Sequence, residues 1–306
     1  MMATPHDAAS ATNVSSAYTD SAVGSGDAQK LKSSRCPVPL TSLSGTKGLR
    51  YFIHLLQVAG VSDPQVIART AETTIAHLQN PKTSRGESGD LERLMQDWYT
   101  GLHTGVAPYH IYARREYLAE LWACWTVYSR RYLLEIKTRK CLPPHGIAGE
   151  IKKGSLIVDL GNGIGITTAA FRELYPEATI VGTNILDSMQ ARICSVLAKE
   201  YGFSMHGSVE SVGRQADLAF ASEYFEHFED PISHLTEVVN AIRPRRMLIA
   251  NAFSARAIGH FDLYKCGSDL VDGKTISREF AQAMRGFGYI KQEAGLWNGR
   301  PQVWTL

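Results

Sequence analysis

From Ile151 to the C-terminus, short apolar runs alternate with segments whose apolar residues recur every three or four positions. The runs predict strands at five places: Leu156–Leu160, Ala178–Ile185, Phe203–His206, Ala216–Ser222 and Met247–Ala252. Runs this apolar are typical of strands that are buried on both faces of a parallel sheet. The helical segments between them predict crossovers, and therefore an α/β fold with helices on both faces of the sheet.

Polar residues and glycines mark the predicted ends of these helices. Asp187 is predicted to cap the helix that Gly202 ends, and the dipeptide Asp230-Pro231 is predicted to begin the next one. A long loop is predicted from Phe253 to Thr275, followed by a helix that Ser277 caps.

The chain ends in a hairpin signal. The strand-like segments Tyr289–Leu296 and Pro301–Leu306 flank the tetrapeptide Trp297-Asn298-Gly299-Arg300. Asn-Gly between two such segments favours a tight turn between antiparallel strands. The sheet is therefore predicted to finish in an antiparallel hairpin.

The residues before the α/β domain fall into two parts. Residues 1–46 are rich in Ala, Ser, Thr and Gly and are predicted to be a disordered leader, without the basic start and apolar core of a secretory signal. Residues 47–145 show helical periodicity and are predicted to form a helical region. Residues 146–306 are predicted to form the α/β domain.

The last predicted helix of the helical region is rich in aromatic residues at helical spacing. One interpretation is a packing face that seats the region on the α/β domain, and the other is a lid or pocket wall that faces a ligand. In the second interpretation, the ligand-facing residues are Tyr109, His110, Tyr112 and Tyr117. A homodimer formed through the helical region is a further prediction.

A glycine-rich turn follows the first predicted strand, in the segment Asp159-Leu160-Gly161-Asn162-Gly163-Ile164-Gly165. Glycines let the backbone turn tightly and let a ligand approach it, and the next helix presents unpaired N–H groups at the same turn. The dinucleotide fingerprint G-x-G-x-x-G would need a glycine at Ile166, and no G-x-x-x-x-G-K-[ST] phosphate loop occurs.

The pattern D-x-G-x-G-x-G, in this setting of strands and with a terminal hairpin, resembles the class I S-adenosylmethionine-dependent methyltransferases. The resemblance covers residues 151–306 and implies a Rossmann-like seven-stranded sheet with a C-terminal antiparallel hairpin. It implies S-adenosyl-L-methionine as the cofactor, with its methionine part held at the glycine turn. The residues that the resemblance assigns to this turn are Asp159, Gly161, Asn162, Gly163 and Gly165.

The ends of the second and third strands depart from the family pattern. The family usually has an acidic residue after the second strand to accept hydrogen bonds from the ribose hydroxyls. Here Asn184 holds that place, followed by Ile185, and its uncharged amide oxygen predicts a weaker bond. Near the adenine amino group, Ser208 or Val209 replaces the aspartate often found in the family, so a backbone N–H is predicted to recognise the adenine edge.

The segment from Ala221 to Pro231 resembles the part of the family that lines the space where the methyl group meets its acceptor. His227 is predicted to be a general base, because the pKa of histidine lies near working pH. Glu223 or Tyr224 is predicted to orient the substrate, and Glu223 also to contact the cofactor. The alternative for His227 is a structural role in bracing the loop.

Composition narrows the choice of partners. The 306 residues carry a formal net charge of +2, which gives no general argument for nucleic acid or an anionic membrane. Five cysteines without a C-x-x-C pair argue against a zinc site and a disulfide framework, so a reducing, cytoplasmic location and no metal are predicted. No apolar run reaches the roughly 18 residues of a membrane helix.

The sequence therefore predicts a methyltransferase that acts on an oxygen, nitrogen or carbon atom of a small molecule. The Pro-Pro-aromatic run of DNA amino-methylating enzymes and the Pro-Cys dipeptide of cytosine-C5 enzymes do not occur in the chain. One alternative is a non-catalytic, partner-binding protein, which Asn184 and Ser208 favour. The other is modification of nucleic acid through the basic residues between Arg114 and Lys140.

Overall fold

A computed structural model describes residues 43, 45–79, 89–137, 151–292 and 301–306 of the chain. The predicted leader lies almost entirely outside the described residues, as does the predicted turn at residues 297–300. The side chains of the basic residues from Arg130 to Lys140 are also outside them. The predicted domain boundaries at residues 46 and 145 stay predictions.

The described strands alternate with helices in the C-terminal half of the chain. They are β1 (Leu156–Asp159), β2 (Thr179–Thr183), β3 (Ser204–His206), β4 (Leu218–Ser222), β5 (Arg246–Ala250), β6 (Leu263–Cys266), β7 (Asp269–Asp272), β8 (Ile290–Gln292) and β9 (Gln302–Thr305). Among the described residues, seven of them form one sheet in the order β3-β2-β1-β4-β5-β9-β8, and β6 pairs with β7.

The large sheet is parallel from β3 to β5 and antiparallel at the other edge. β9 runs antiparallel to both β5 and β8. The predicted Rossmann-like sheet with a C-terminal antiparallel hairpin is therefore confirmed. Every residue of β1 and of β4 is buried, which explains why their sequences show no alternation of polar and apolar residues.

The helices of the N-terminal region precede the sheet, and the remaining helices alternate with its strands. The first group comprises α1 (Thr46–Val58), α2 (Pro64–Gln79), α3 (Gly89–His103), a 3₁₀ helix (Tyr109–Ala113) and α4 (Arg115–Lys137). The second comprises α5 (Ile166–Leu174), α6 (Met189–Tyr201), α7 (Pro231–Ile242) and α8 (Gly273–Gly286). No helix among the described residues is long and apolar enough to cross a membrane.

Aromatic side chains join the N-terminal helices to the α/β domain. Trp122 of α4 is fully buried and stacks on Phe52 of α1, with ring centroids 4.4 Å apart. Trp98 of α3 is also buried, and its Nε1 donates to the carbonyl oxygen of His260 at 2.6 Å. This region therefore shares the hydrophobic core of the domain.

The prediction of a long loop from Phe253 to Thr275 is wrong, because this segment contains the β6–β7 hairpin and the start of α8. Leu263 pairs with Asp272 and Cys266 with Asp269, and Gly267 turns the chain at a φ of +62°. Each strand has four residues, mixes polar with apolar positions and is largely exposed, so the apolar pattern is weak.

Two predicted helix caps are also wrong by a few residues. Ser188, not Asp187, caps α6, because its side chain accepts a hydrogen bond from the Ala191 N–H at 3.0 Å. Asp272, not Ser277, caps α8, because its Oδ1 accepts from the Thr275 N–H at 2.7 Å. At both helix starts the sequence offers two polar residues as possible N-caps. The backbone geometry determines which side chain reaches the free N–H group.

The cap of α8 gives a direct test of this assignment. Asp272→Ala removes the acceptor for the Thr275 N–H, so we expect the midpoint of urea unfolding to fall. Ser277→Ala is the control, because Ser277 is exposed inside the helix, and it is expected to change stability by less than about 0.5 kcal/mol. Urea unfolding measures both; equal losses would contradict the assigned cap.

Candidate active site

A cavity of about 950 Å³ lies at the carboxyl edge of the parallel strands. In the sheet register, Asp159 at the end of β1 lies beside Gly182 of β2 and Phe220 of β4. The segments that follow these strands therefore meet at one place, where open α/β sheets bind ligands. The N-terminal helices cover the opposite side of the cavity with Tyr109, Tyr112 and other residues.

The glycine turn forms one wall of the cavity. Gly161 has a φ of +61° and Gly163 a φ of +52°, a backbone region that favours glycine. A Cβ atom on Gly161 would lie 2.3 Å from the ring of Tyr224, so the turn and this ring approach as closely as glycine allows. The Gly161 N–H donates to Thr183 Oγ1 at 3.0 Å, which ties the turn to β2.

Asp159 lies beneath the turn rather than in the cavity wall. Its side chain is buried, and its Oδ2 accepts a hydrogen bond from Thr168 Oγ1 at 2.6 Å. Burial raises the pKa of this carboxyl group to about 7. Asn162 also lies beneath the turn, where its Nδ2 donates to the same Thr168 oxygen at 3.1 Å.

Asn184 fastens the turn from the cavity side. Its Nδ2 donates to Asn162 Oδ1 at 2.8 Å and to the Gly163 carbonyl oxygen at 2.6 Å. These two bonds use both amide hydrogens and leave the amide oxygen as an acceptor. A carboxylate at this position would instead bring its oxygens against two other oxygens. The residue that departs from the family pattern therefore matches its neighbours here.

The predicted cofactor-binding residues divide into two sets. Those that line the cavity are Gly161, Gly163, Asn184, Ile185, Val209 and Glu223. Asp159, Asn162 and Gly165 support the turn from below. A Cβ on Gly165 would lie 2.7 Å from Cys194 Sγ, which shows how closely the turn approaches α6. The assignment of all these residues to the cofactor stays a prediction.

The predicted catalytic residues line the other half of the cavity. His227 Nδ1 lies 2.8 Å from the hydroxyl of Tyr112, which belongs to the N-terminal 3₁₀ helix. Burial, and secondly the neighbouring His260, lower the pKa of His227 to about 3. The ring is therefore neutral at physiological pH, and the sequence-based premise of a histidine pKa near working pH does not hold for this buried side chain.

Tyr224 belongs to a separate chain of hydrogen bonds in the cavity wall. Its hydroxyl lies 2.7 Å from His234 Nε2, and His234 Nδ1 lies 2.7 Å from Glu237 Oε2. These contacts fix the tyrosine ring beside the glycine turn. Tyr224 therefore stands between the predicted cofactor half and the predicted acceptor half of the cavity.

Sequence reasoning did not find His260 or Glu226 as site residues. His260 lies in the segment predicted to be a loop; its Nδ1 is 2.9 Å from the Ala255 carbonyl oxygen and its Nε2 is 3.6 Å from Glu223 Oε2. Glu226 is buried, and its Oε1 accepts from the Ala252 N–H at 2.6 Å. Burial, and secondly the charge of Glu223, raise the pKa of Glu226 well above its usual range.

Three of the four residues predicted to face a ligand from the helical region line the cavity. Tyr109, Tyr112 and Tyr117 line the cavity, whereas His110 is exposed and does not. Trp122 of the aromatic helix packs in the core, as the first interpretation expects, whereas Tyr117 lines the cavity. The ligand-facing role of the tyrosines stays a prediction.

The fold and this site define a class I methyltransferase domain. Residues 158–250 match the family model described as a methyltransferase domain, and this match includes the glycine turn and the segment after β4. The chain therefore contains a methyltransferase domain. No curated protein matches the sequence.

Several solved methyltransferase structures are similar to this chain. One is the mitomycin 7-O-methyltransferase MmcR, with 13% identity, a TM-score of 0.46, and coverage of 80% of this chain and 70% of that one. Another is the magnesium protoporphyrin IX methyltransferase ChlM of Synechocystis PCC 6803 with bound S-adenosylmethionine, with 15% identity, a TM-score of 0.41, and coverage of 60% and 81%. A third is a putative O-methyltransferase of Nostoc punctiforme PCC 73102, with 13% identity, a TM-score of 0.48, and coverage of 76% and 72%.

The buried Asp159 predicts a specific dependence of stability on pH. Its pKa of about 7 in the folded state exceeds its ordinary value of 3.8, so the folded state binds the proton more tightly. The contribution of protonated Asp159 to the free energy of unfolding is therefore full below pH 3.8 and is lost as the pH rises from 3.8 to about 7. Asp159→Asn keeps an acceptor for Thr168 but cannot ionise, so its free energy of unfolding should rise relative to the unsubstituted protein by up to about 1.4 kcal/mol per pH unit across this window. Cofactor-free urea unfolding at several pH values measures the difference; a constant difference would contradict the buried ionisable role.

The hydrogen bonds of Asn184 predict the effect of restoring the family's acidic residue. Asn184→Asp removes both N–H donors to Asn162 and Gly163, so we expect S-adenosylhomocysteine to bind about tenfold more weakly. Asn240→Asp, which makes the same change on an exposed face of α7, is the control and should leave binding within twofold. Calorimetric titration measures the affinity, and tighter binding by Asn184→Asp would refute this account.

Proposed function

We propose that this methyltransferase acts on an oxygen atom of a small molecule that carries a flat ring. The observation that carries the proposal is the continuity of one cavity. It joins the glycine turn to a polar cluster of Glu223, His227 and His260 beneath a wall of aromatic side chains.

The glycine side of the cavity suits the cofactor. In the proposal, the methionine part lies along Gly161 and Gly163, and the ribose hydroxyls donate to the amide oxygen of Asn184. Ile185 and Val209 border the adenine. Ile185 is 67% exposed, so a stacked base would cover apolar surface there. Asp159, Asn162 and Gly165 hold the turn from below and do not touch the cofactor.

The helical side of the cavity suits a ring-bearing acceptor. Tyr109, Tyr112, Tyr117 and Trp125 all line it, and aromatic walls favour flat ligands through offset or edge contacts. The volume lies near the upper end of the roughly 300–1,000 Å³ that ligand pockets span. Space of this size suits the cofactor together with a small acceptor.

The reaction is an in-line displacement. The bond from the cofactor sulfur to its methyl carbon breaks as the bond from that carbon to the acceptor oxygen forms, and S-adenosylhomocysteine leaves. The hydroxyl proton passes to the carboxylate of Glu223, because the low pKa of His227, about 3, makes that ring a weak base. The enzyme contributes mainly by aligning the two reactants and by excluding water. Tyr224, wedged against the glycine turn, is proposed to orient them, and Glu223 and His227 to hold the acceptor oxygen.

Two further assignments belong to this proposal. Cys124, Cys194 and Cys266 carry free thiols, which suits a reducing compartment such as the cytoplasm. A homodimer through the N-terminal helices stays a prediction.

Methyl transfer to matched acceptors tests the proposed function. We expect radiolabel from S-adenosylmethionine to appear on hydroxylated aromatic rings at least about tenfold faster than on amino analogues of the same ring. Tyr112→Phe keeps the aromatic wall but removes the hydroxyl beside His227, so it should lower kcat about tenfold through misalignment and leave the Kd for S-adenosylhomocysteine within twofold.

Tyr99→Phe is the matched control, because Tyr99 does not line the cavity and its hydroxyl contacts the backbone of Ala257 and the side chain of Arg256. Its kcat should stay within twofold of the unsubstituted enzyme. Equal or faster labelling of the amino analogues would contradict the oxygen acceptor. An unchanged kcat in Tyr112→Phe would contradict the role of the Tyr112–His227 contact.

A further inference from the structure

Three potential metal ligands meet beside the cavity. Glu223, Glu226 and His260 each place one carboxylate oxygen or ring nitrogen so that the three atoms lie within 4.8 Å of one another. Two of the residues follow β4, and His260 comes from the loop after β5. We call these three residues the acid–histidine cluster. Bonds of about 2.0–2.2 Å to one cation separate its ligand atoms by roughly 3–4.4 Å, so small side-chain movements suffice.

The buried carboxylate of Glu226 has one oxygen without a hydrogen-bond partner among the described residues. The side chain is fully buried, and one oxygen, Oε1, accepts from the Ala252 N–H at 2.6 Å. The other oxygen, Oε2, has no hydrogen-bond partner among the described residues. Buried carboxylate oxygens are normally hydrogen-bonded or bound to a metal. Glu226 therefore points to a positively charged ligand.

His260 is held in the manner of a metal ligand. Its Nδ1 lies 2.9 Å from the Ala255 carbonyl oxygen, and a ring N–H bonded to a backbone carbonyl fixes the tautomer in which Nε2 can coordinate. Nε2 lies 3.6 Å from Glu223 Oε2. This separation is longer than a good hydrogen bond but close to the distance between two ligands of one cation.

We propose that Glu223, Glu226 and His260 bind a divalent cation at the wall of the active-site cavity. Two carboxylates and one imidazole suit Mn²⁺, Zn²⁺ and related cations, and the two positive charges balance the two carboxylates. The spacing of the cysteines predicted no metal site. The acid–histidine cluster uses no cysteine, and His260 is 34 residues from Glu226 in the chain.

The cation would also act on the acceptor, and this second part rests on the proposed function. Glu223 and His260 line the cavity, and three protein ligands leave further coordination positions. An acceptor hydroxyl oxygen is the ligand proposed for one of them. A bound cation lowers the pKa of a coordinated hydroxyl and so favours the nucleophilic oxyanion.

Titration of Mn²⁺ into the chelator-treated full-length protein, without cofactor or acceptor, tests the site. Electron paramagnetic resonance distinguishes bound from free Mn²⁺, and one bound ion per chain is expected. Glu226→Gln keeps an oxygen for the Ala252 N–H and should weaken Mn²⁺ binding at least twentyfold, and Glu223→Gln should do the same. Glu237→Gln is the matched control, because Glu237 also lines the cavity but pairs with His234. The affinity of this variant for Mn²⁺ should stay within twofold of that of the unsubstituted protein.

The outcomes separate the cation from the proposed function. Absence of saturable binding of Mn²⁺ and Zn²⁺ by the unsubstituted protein would overturn the cation site, and so would unchanged affinity in both glutamine variants while thermal unfolding shows them folded. Site-specific Mn²⁺ binding without methylation of any hydroxylated ring would support the cation site and overturn the proposed acceptor. Loss of methyl transfer on chelation, restored by Mn²⁺, would support both parts.

Discussion

A chain of hydrogen bonds beneath the glycine turn is the constraint on which the rest of the site depends. Thr168 of α5 donates to Asp159 and accepts from Asn162, and Asn162 in turn accepts from Asn184. The chain thus joins the ends of β1 and β2 to the first turn of α5. Each amide is oriented by the group before it, so Asn184 presents its oxygen, and not its nitrogen, to the cavity. Glycines allow the turn to bend, but these side chains determine where it lies.

The same constraint explains why an asparagine stands where related enzymes have an acid. A carboxylate makes a stronger bond to ribose hydroxyls, yet it cannot donate to Asn162 and Gly163. In the proposed site, Asn184 therefore makes a weaker contact with the ribose than a carboxylate would, but it holds the turn rigid. In the sequence, Asn162 and Asn184 are 22 positions apart, and only Asn184 departs from the family pattern. In the fold they are one hydrogen-bonded pair, which no spacing rule connects.

What the sequence predicted well depends on local pattern. The buried strands, the glycine turn and the terminal hairpin each have a signal within about ten residues, and the sheet built from them is confirmed. What it predicted poorly depends on contacts between distant segments. Tyr112 meets His227 across 115 positions, and Trp98 reaches the His260 carbonyl across 162. The β6–β7 hairpin was missed for a different reason, because its exposed strands lack an apolar pattern.

The carboxylic acids in and beside the cavity suit a positively charged cofactor. Glu120 and Glu223 line the cavity, and burial raises the pKa of Glu120 to about 7. Glu226 is buried next to the cavity wall. Burying several acids is unfavourable unless positive charge compensates for them. The cofactor sulfonium supplies one such charge before methyl transfer and loses it afterwards, so its attraction to the cavity falls as S-adenosylhomocysteine forms. A bound divalent cation would keep positive charge beside the carboxylates throughout the catalytic cycle. The buried acids would then be stabilised with either S-adenosylmethionine or S-adenosylhomocysteine in the site.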